Sequence, residues 1–206
     1  MTSGPPCFLL ATRSLGKLFE LRPLFAAGQL DAIDLDAAGI VEDEAEQTLE
    51  AFDTFVENAL AKARYFHALS GLPTVADDSG LEVAALGGAP GVRSKRWSGR
   101  TDLHGIDLDR ANNALLLQSL APHADRYARY VCVAAYVAPG EELTCRGEAV
   151  GRILQEPRGR AGFGYDPLFE SAELGMTYAE MDTSTKERIS HRGRAFRQLI
   201  TALQQR

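Results

Sequence analysis

Cysteine is scarce in this chain of 206 residues: Cys7, Cys132 and Cys145 are all there are. The count is odd and no CxxC occurs. A disulfide framework and a thiolate zinc site are therefore not expected, and reduced thiols in a cytoplasmic setting are. The four histidines, at 67, 104, 123 and 191, match no HExxH or other zinc spacing. No apolar run reaches the ~18 residues that read as a membrane span. The opening MTSGPPCFLLAT lacks the basic start and apolar stretch of a signal peptide. No Ser/Gly/Pro linker, internal repeat or low-complexity tract divides the sequence. Lysine is as sparse as histidine, with four residues at 17, 62, 95 and 186 against eighteen arginines. A formal net charge of −6 argues against a nonspecific binder of nucleic-acid polymer, though a local basic pocket remains compatible with it.

What is present is an ordinary globular mixture, 45% hydrophobic and 24% charged, which excludes wholesale disorder. A chain of this length buries roughly two thirds of its unfolded surface on folding. The expectation is a single domain over 1–206 with two lobes. Residues 7–12 read as a short buried strand after Pro5-Pro6, 15–27 as a helix interrupted by Pro23, and 31–35 as a second strand. The acidic stretch 42–50 reads as a solvated loop. Residues 51–69 have the clearest helical period, with Phe52, Phe55, Val56, Ala59, Ala63 and Phe66 on one side and a stop at Gly71 and Pro73. A strand over 73–77 runs into Asp77-Asp78-Ser79-Gly80, an acidic turn of the kind that ends a strand at an α/β active site. After a polar loop at 93–105, a helix is expected over 107–120, with strands over 127–137 and 143–154 joined by a turn at 139–142. A glycine-rich loop at 159–167, a short helix or turn at 171–175, a polar segment at 177–188 and a last helix at 190–204 complete the chain. The fold class read from these elements is α/β, a mixed β-sheet with helices in two lobes around a cleft.

Four groups of residues carry chemistry. Glu50, Thr54, Asn58 and Lys62 are spaced by four and stack along one helix face, offering a carboxylate, two neutral hydrogen-bonding groups and an ammonium. Asp77 and Asp78 point to opposite faces if their strand persists, so one of them faces a site; oxygen ligands of this kind suit Mg²⁺, and an Asx-type turn is the structural alternative. Gly16-Lys17 follows the first strand near a helix N-terminus, where amides and an ammonium can hold phosphate, but the glycines and the Ser/Thr of a Walker A motif are missing. The last thirty residues invert the charge of the chain, with Lys186, His191 and Arg192 close together and Ser190 as a candidate cap. In Gly162-Phe163-Gly164-Tyr165-Asp166-Pro167, a ring could stack on a base and Asp166 could accept from a purine edge.

Five blocks in order, ATRSLGKLFEL, TFVENALAKA, ADDSGLEVAALGGAPGV, GFGYDPLF and KERISHRGRA, span nearly the whole chain. Through them the sequence resembles the non-canonical purine nucleoside triphosphate pyrophosphatases, the inosine triphosphatase or dITP/XTP pyrophosphatase family. The resemblance implies a cytoplasmic, homodimeric, magnesium-dependent hydrolase that splits ITP, dITP and XTP into monophosphate and pyrophosphate. It implies catalytic roles for Asp78, Lys17 and Lys62, and Mg²⁺ on Glu50 and Asp78. Substrate contacts fall at Thr12, Arg13, Ser14, Lys17, Ser79, Phe163, Gly164, Tyr165, Asp166, Lys186, His191 and Arg192. Three of the four lysines thus belong to a triphosphate site. The chain departs from the family's T-G-N-x-x-K at Arg13 and Ser14: a shorter hydroxyl replaces an amide, and Arg13 either adds a phosphate contact or crowds the loop. The segment SGRTDLHGID is also longer than the family's commonest form. Two other readings stand beside this one, a pyrophosphatase for other modified triphosphates and a nucleotide sensor without turnover. An RNA-binding module is disfavoured by the charge and by the lack of a basic stripe.

Overall fold

In the computed structural model, residues 7–205 are described, and the Pro5-Pro6 signal lies outside them. Six strands form one mixed sheet in the order β2-β1-β3-β4-β5-β6. The strands are β1 (Phe8–Leu10), β2 (Ala32–Asp34), β3 (Thr74–Val83), β4 (Tyr127–Ala138), β5 (Glu141–Ile153) and β6 (Phe169–Ser171). β1 pairs in parallel with β2 and β3, whereas β5 and β6 are antiparallel. The helices are α1 (Leu15–Ala27), α2 (Phe55–Ser70), α3 (Gly105–Leu120), α4 (Thr183–Ile189) and α5 (His191–Gln204). The chain forms two compact units. The first holds the chain up to Asp78, Cys132–Gly147 and everything from Arg192 on; the second holds Ser79–Val131 and Glu148–His191. The strands β3, β4 and β5 each begin in one unit and end in the other.

Each unit has its own core. In the first, Leu18, Leu21, Leu24 and Phe25 of α1 and Ala195, Phe196, Leu199 and Ile200 of α5 pack with Phe8, Leu10, Val75, Cys132, Ala134 and Tyr136 of the sheet. Burying a side chain such as Phe196 or Leu199 contributes about 1.5–3 kcal/mol. The side chain of Ser14 caps α1 by accepting from the Lys17 amide at 3.3 Å, and the helix continues through Pro23. Gly28 ends it where a Cβ would stand 2.7 Å from Ile200 Cγ2. In the second unit, Leu81, Val83, Leu116, Leu120, Ile153, Phe169 and Tyr178 form the core. Arg126 stitches its edge by donating to the carbonyls of Leu120, Ile153 and Leu154.

Several boundaries move from the sequence expectation for physical reasons. α2 begins at Phe55 because Thr54 caps it, its hydroxyl accepting from the Glu57 amide at 3.2 Å. Phe52 therefore lies before the helix, 47% exposed, and Val56 faces outward. The expected acidic loop is in part a 3-10 turn, Glu44–Thr48, closed by a capping box between Asp43 and Glu46. β3 does not stop at Asp77; it runs through Asp78-Ser79-Gly80 to Val83 with only Ser79 and Glu82 less than fully buried. The turn expected at 171–175 follows a third short strand, β6. Within the polar segment lies α4, capped by Asp182 accepting from the Thr185 amide at 2.7 Å. Ser190 closes α4, its amide donating to the Lys186 carbonyl at 2.8 Å, and α5 starts at the next residue.

Candidate functional site

In the first unit, the loop between β1 and α1 is built from its own side chains. Thr12 is buried, and its hydroxyl accepts from the Ser14 amide at 3.2 Å. With Ser14 capping α1, Lys17 stands one turn into the helix and reaches across to β3. Its Nζ lies 3.1 Å from Asp77 Oδ2 and 3.4 Å from the Asp77 carbonyl oxygen. Lys62, on α2, donates to that same carbonyl oxygen at 2.8 Å and pairs with Glu50. Two ammonium groups thus converge on one peptide oxygen, between Asp77 and Asp78.

Persistence of β3 sends the two adjacent carboxylates to opposite faces, and their environments are opposite too. Asp77 is fully enclosed; Oδ2 takes Lys17, Arg192 Nε at 3.2 Å and the Cys132 thiol at 3.7 Å. Arg192, itself 2% exposed, also donates to Glu20 at 2.5 Å. Burial opposes ionisation of Asp77, but Lys17, Arg192 and Lys62 outweigh it and hold its carboxyl well below the usual range. Burial also opposes the Arg192 cation, and Asp77 and Glu20 drive its pKa upward instead. Asp78 moves the other way. Burial raises its pKa and the Glu50 carboxylate adds to the rise, against the pull of Lys17, Lys62 and Asn58. Its Oδ2 accepts from Asn58 Nδ2 at 2.9 Å. Asn58 also exchanges hydrogen bonds with the Phe52 backbone at 2.9 and 3.2 Å, tying the chain before α2 to β3. Lys62 is pushed down by burial and up by Glu50, Asp77 and Asp78, with a net rise, so it stays charged.

In the second unit, Asp166 is the hub. Its Oδ2 accepts from Lys186 Nζ at 2.6 Å and from the Phe163 amide at 2.9 Å. Gly162, at φ 78°, must lack a side chain, since a Cβ would fall 2.0 Å from that oxygen. Lys186 Nζ also lies 4.9 Å from the centre of the Phe163 ring and 5.5 Å from that of Tyr178. His191 stacks on Tyr130 with ring centres 4.5 Å apart and planes 6° from parallel. Gly164 is clasped from α3: its amide donates to Asp109 at 2.7 Å and its carbonyl accepts from Asn113 at 2.9 Å. Tyr165 is buried and donates to the Ser94 carbonyl at 2.8 Å, whereas the Phe163 ring is only partly buried.

The structure therefore brings Lys17, Lys62, Glu50 and Asp78 together in the first unit, and Phe163, Asp166 and Lys186 together in the second. Ser79 follows Asp78 on β3 and is partly buried. Arg13 is not aimed along the loop at all; its guanidinium is bound by Glu46, Asp36 and the Ile40 carbonyl. Sequence reasoning missed the importance of Asn58 as a tether and of Asp77 as a buried counter-charge. The fourfold spacing flagged Asn58, whereas Glu20 reads from the sequence only as a further carboxylate, with nothing to mark it as the second partner of Arg192.

The oxygen donors of Glu50 and Asp78 fit a hard cation. Their mutual repulsion contributes to the raised pKa of Asp78, and a dication relieves such repulsion. Among the described residues no group of three or more His, Cys, Asp or Glu is gathered as a complete ligand set. Two carboxylates completed by water and phosphate oxygens are the pattern Mg²⁺ commonly takes.

The model of the Ham1 family matches residues 8–202. A dITP/XTP pyrophosphatase of Frankia alni is 50% identical over 200 residues, covering 96% of each chain. Among solved structures, a HAM1 protein from Coxiella burnetii has 37% identity and a TM-score of 0.84, covering 98% of this chain and 100% of its own. A nucleoside-triphosphatase or dITP/XTP pyrophosphatase from Mycobacterium abscessus has 39% identity and a TM-score of 0.71, covering 96% and 99%.

Proposed function

The chain belongs to the Ham1 family, and on that premise we propose that it hydrolyses ITP, dITP and XTP to the nucleoside monophosphate and pyrophosphate. The observation that carries this reading is the convergence of Lys17 and Lys62 on the Asp77 carbonyl, beside the carboxylates of Asp78 and Glu50. Two fixed ammonium groups next to two hard oxygen donors suit a polyphosphate with its cation.

Lys17 and Lys62 bind phosphate oxygens and offset the charge that develops on pyrophosphate as it leaves. The amide-rich start of α1, with Thr12, Arg13 and Ser14 before it, forms the rest of the phosphate loop. Glu50 and Asp78 are the carboxylates that would hold Mg²⁺, which when bound supplies neutralisation of the phosphate oxygens and polarises the phosphorus under attack. Asp78, whose pKa is raised, is the group suited to take a proton from the attacking water. The water oxygen bonds to the α-phosphorus, and the α–β bridging bond breaks with its electron pair leaving on pyrophosphate. Asp77 is a positioning residue: it stays ionised, holds Lys17 and Arg192, and does no chemistry.

For the base, Phe163 stacks on the purine, while Asp166, Lys186 and His191, with Ser79, Gly164 and Tyr165 as their frame, read its edge. A 6-oxo group alone does not separate hypoxanthine from guanine, so the reader must also sense C2. The whole of 1–206 acts as one pyrophosphatase domain, as a homodimer in the cytoplasm, on free nucleotides rather than on polymers. No helix among the described residues is long and apolar enough to cross a membrane. The test is a triphosphate panel with Mg²⁺, in which pyrophosphate and orthophosphate are detected separately. ITP and XTP should be turned over well ahead of UTP and dTTP. Equal rates across the panel overturn the specificity, and tight ITP binding without pyrophosphate release overturns the enzyme reading in favour of a sensor.

A further inference from the structure

Arg13 stands in the phosphate loop between Thr12 and Ser14, yet its guanidinium is already engaged. Nε and Nη2 form a fork on Glu46, at 3.1 Å to Oε2 and 2.7 Å to Oε1. Nη1 donates to the Ile40 carbonyl at 2.9 Å and to Asp36 at 3.3 Å. These four bonds use all but one of the N–H groups the side chain owns. The Glu46 carboxylate also accepts from the Asp43 amide at 3.3 Å, which closes the 3-10 turn Glu44–Thr48. Glu50 comes two residues after that turn. On its far side, Asn58 pins Phe52 by two hydrogen bonds. The strap from Asp43 to Phe52 is therefore fixed at one end by Arg13 and at the other by Asn58, with Glu50 between the pins.

We propose that Arg13 is a positioning residue for Glu50, not a ligand of phosphate. The fork couples the phosphate loop to the strap, so the place of the Glu50 carboxylate follows the place of the loop. A planar bidentate donor is suited to this, and a lysine is not, because a point charge cannot hold both carboxylate oxygens and the Ile40 carbonyl together. The proposal rests on the reading of Glu50 as a metal carboxylate.

The experiment uses the full chain with Arg13→Ala, Arg13→Lys, Glu46→Gln, the double variant Arg13→Ala/Glu46→Gln, and Glu50→Gln. Three quantities are measured: hydrogen exchange of the amides of residues 43–50 in metal-free protein, the Mg²⁺ concentration giving half-maximal ITP hydrolysis, and the affinity for pyrophosphate. Arg13→Ala and Glu46→Gln should each speed exchange in 43–50 and raise the half-saturating Mg²⁺ by about tenfold, as loss of a residue supporting a metal ligand does. The double variant should be no worse than the more impaired single, because one interaction has been removed twice. Arg13→Lys should recover only part of the loss. Unchanged exchange in Arg13→Ala overturns the proposal. So does a neutral Glu46→Gln beside an impaired Arg13→Ala that binds pyrophosphate more weakly, the pattern of a direct phosphate contact. If Arg13→Ala fails to fold, Arg13→Lys and Glu46→Gln carry the same comparison. Glu50→Gln separates the two levels: a Mg²⁺ dependence it does not move overturns the metal reading of Glu50. A dependence moved by Glu50→Gln and not by the Arg13 variants overturns the role of Arg13 alone.

Discussion

Adjacent carboxylates on β3 should respond in opposite ways to the same substitution. Asp77→Asn removes the charge that Lys17 and Arg192 share at 3.1 and 3.2 Å, in a place with no access to solvent. Arg192 keeps Glu20, and Lys17 is left with the Asp77 carbonyl, at 3.4 Å. The new amide group gains nothing in return. Turned toward the cations it sets donor against donor; turned away it occupies the place of Oδ1, which has no hydrogen-bond partner. Breaking a buried pair from one side costs about 3–5 kcal/mol. At about 2–4 °C per kcal/mol for a chain of this size, the melting temperature should fall by about 6–20 °C. Asp78→Asn should do the reverse. Its ionised form is disfavoured by burial and by Glu50, and Asn58 can still donate to an amide oxygen. In metal-free buffer its stability should match or exceed that of the wild type, while hydrolysis falls about 10²–10⁴-fold.

The pH dependence follows from the two directions. The folded-state pKa of Asp77 lies below its unfolded value of about 3.9, so its stabilisation is present above that pH and is lost as pH falls through the folded value. The Asp77→Asn penalty should therefore be constant near neutrality and shrink only in acid. The pKa of Asp78 is raised, so its cost is present above the folded value and gone below about 3.9. Any gain from Asp78→Asn should vanish on that approach. Thermal melts of both variants between acid and neutral pH, beside initial rates with ITP, measure all of this. An Asp77→Asn variant within about 1 kcal/mol of wild type, the range of an exposed pair, would refute the assignment of Asp77 as the buried counter-charge.

Lys17→Met should lower kcat/KM for ITP by about 10²–10³-fold, the usual loss when a donor to developing charge is removed; a loss below tenfold in a steady-state assay would contradict a phosphate role. Gly159→Ala places a Cβ 2.3 Å from the Ala179 carbonyl at a φ of 82°, where Arg160 and Ala161 also donate to Ala179. Urea denaturation should show a loss of at least about 2 kcal/mol, and an unchanged midpoint would contradict that packing.

Much of this arrangement is legible in the residues, and the rest is hidden for definite reasons. The α1 and α2 helices follow from their apolar period, and the end of α2 from Gly71, whereas the caps at Ser14 and Thr54 emerge only in the structure. The spacing of Asn58 and Lys62 marks the face that meets β3, although Thr54 is spent on capping the helix and Glu50 joins from a turn before it. Alternation at Asp77 and Asp78 correctly separates the two, but Asp-Asp-Ser-Gly reads locally as a turn. Tertiary pairing overrides that propensity, since full burial favours a strand that satisfies its own backbone. Contacts of long range leave no local mark. Arg192 lies 115 residues from Asp77 and 172 from Glu20, and an arginine on a basic helix looks like surface or ligand contact until the fold buries it. Arg13 is similar: of its three partners only Glu46 lies in the stretch that reads as an acidic loop, and Asp36 and Ile40 lie before it with nothing local to mark them.

In the hydrolysis proposed above, water attacks the α-phosphorus of the triphosphate. ITP hydrolysed with Mg²⁺ in ¹⁸O-water, with the products separated and weighed by mass spectrometry, tests it at the atom that reacts. The label should appear in inosine monophosphate and be absent from pyrophosphate. Label in pyrophosphate, or orthophosphate as the first product, would contradict the account.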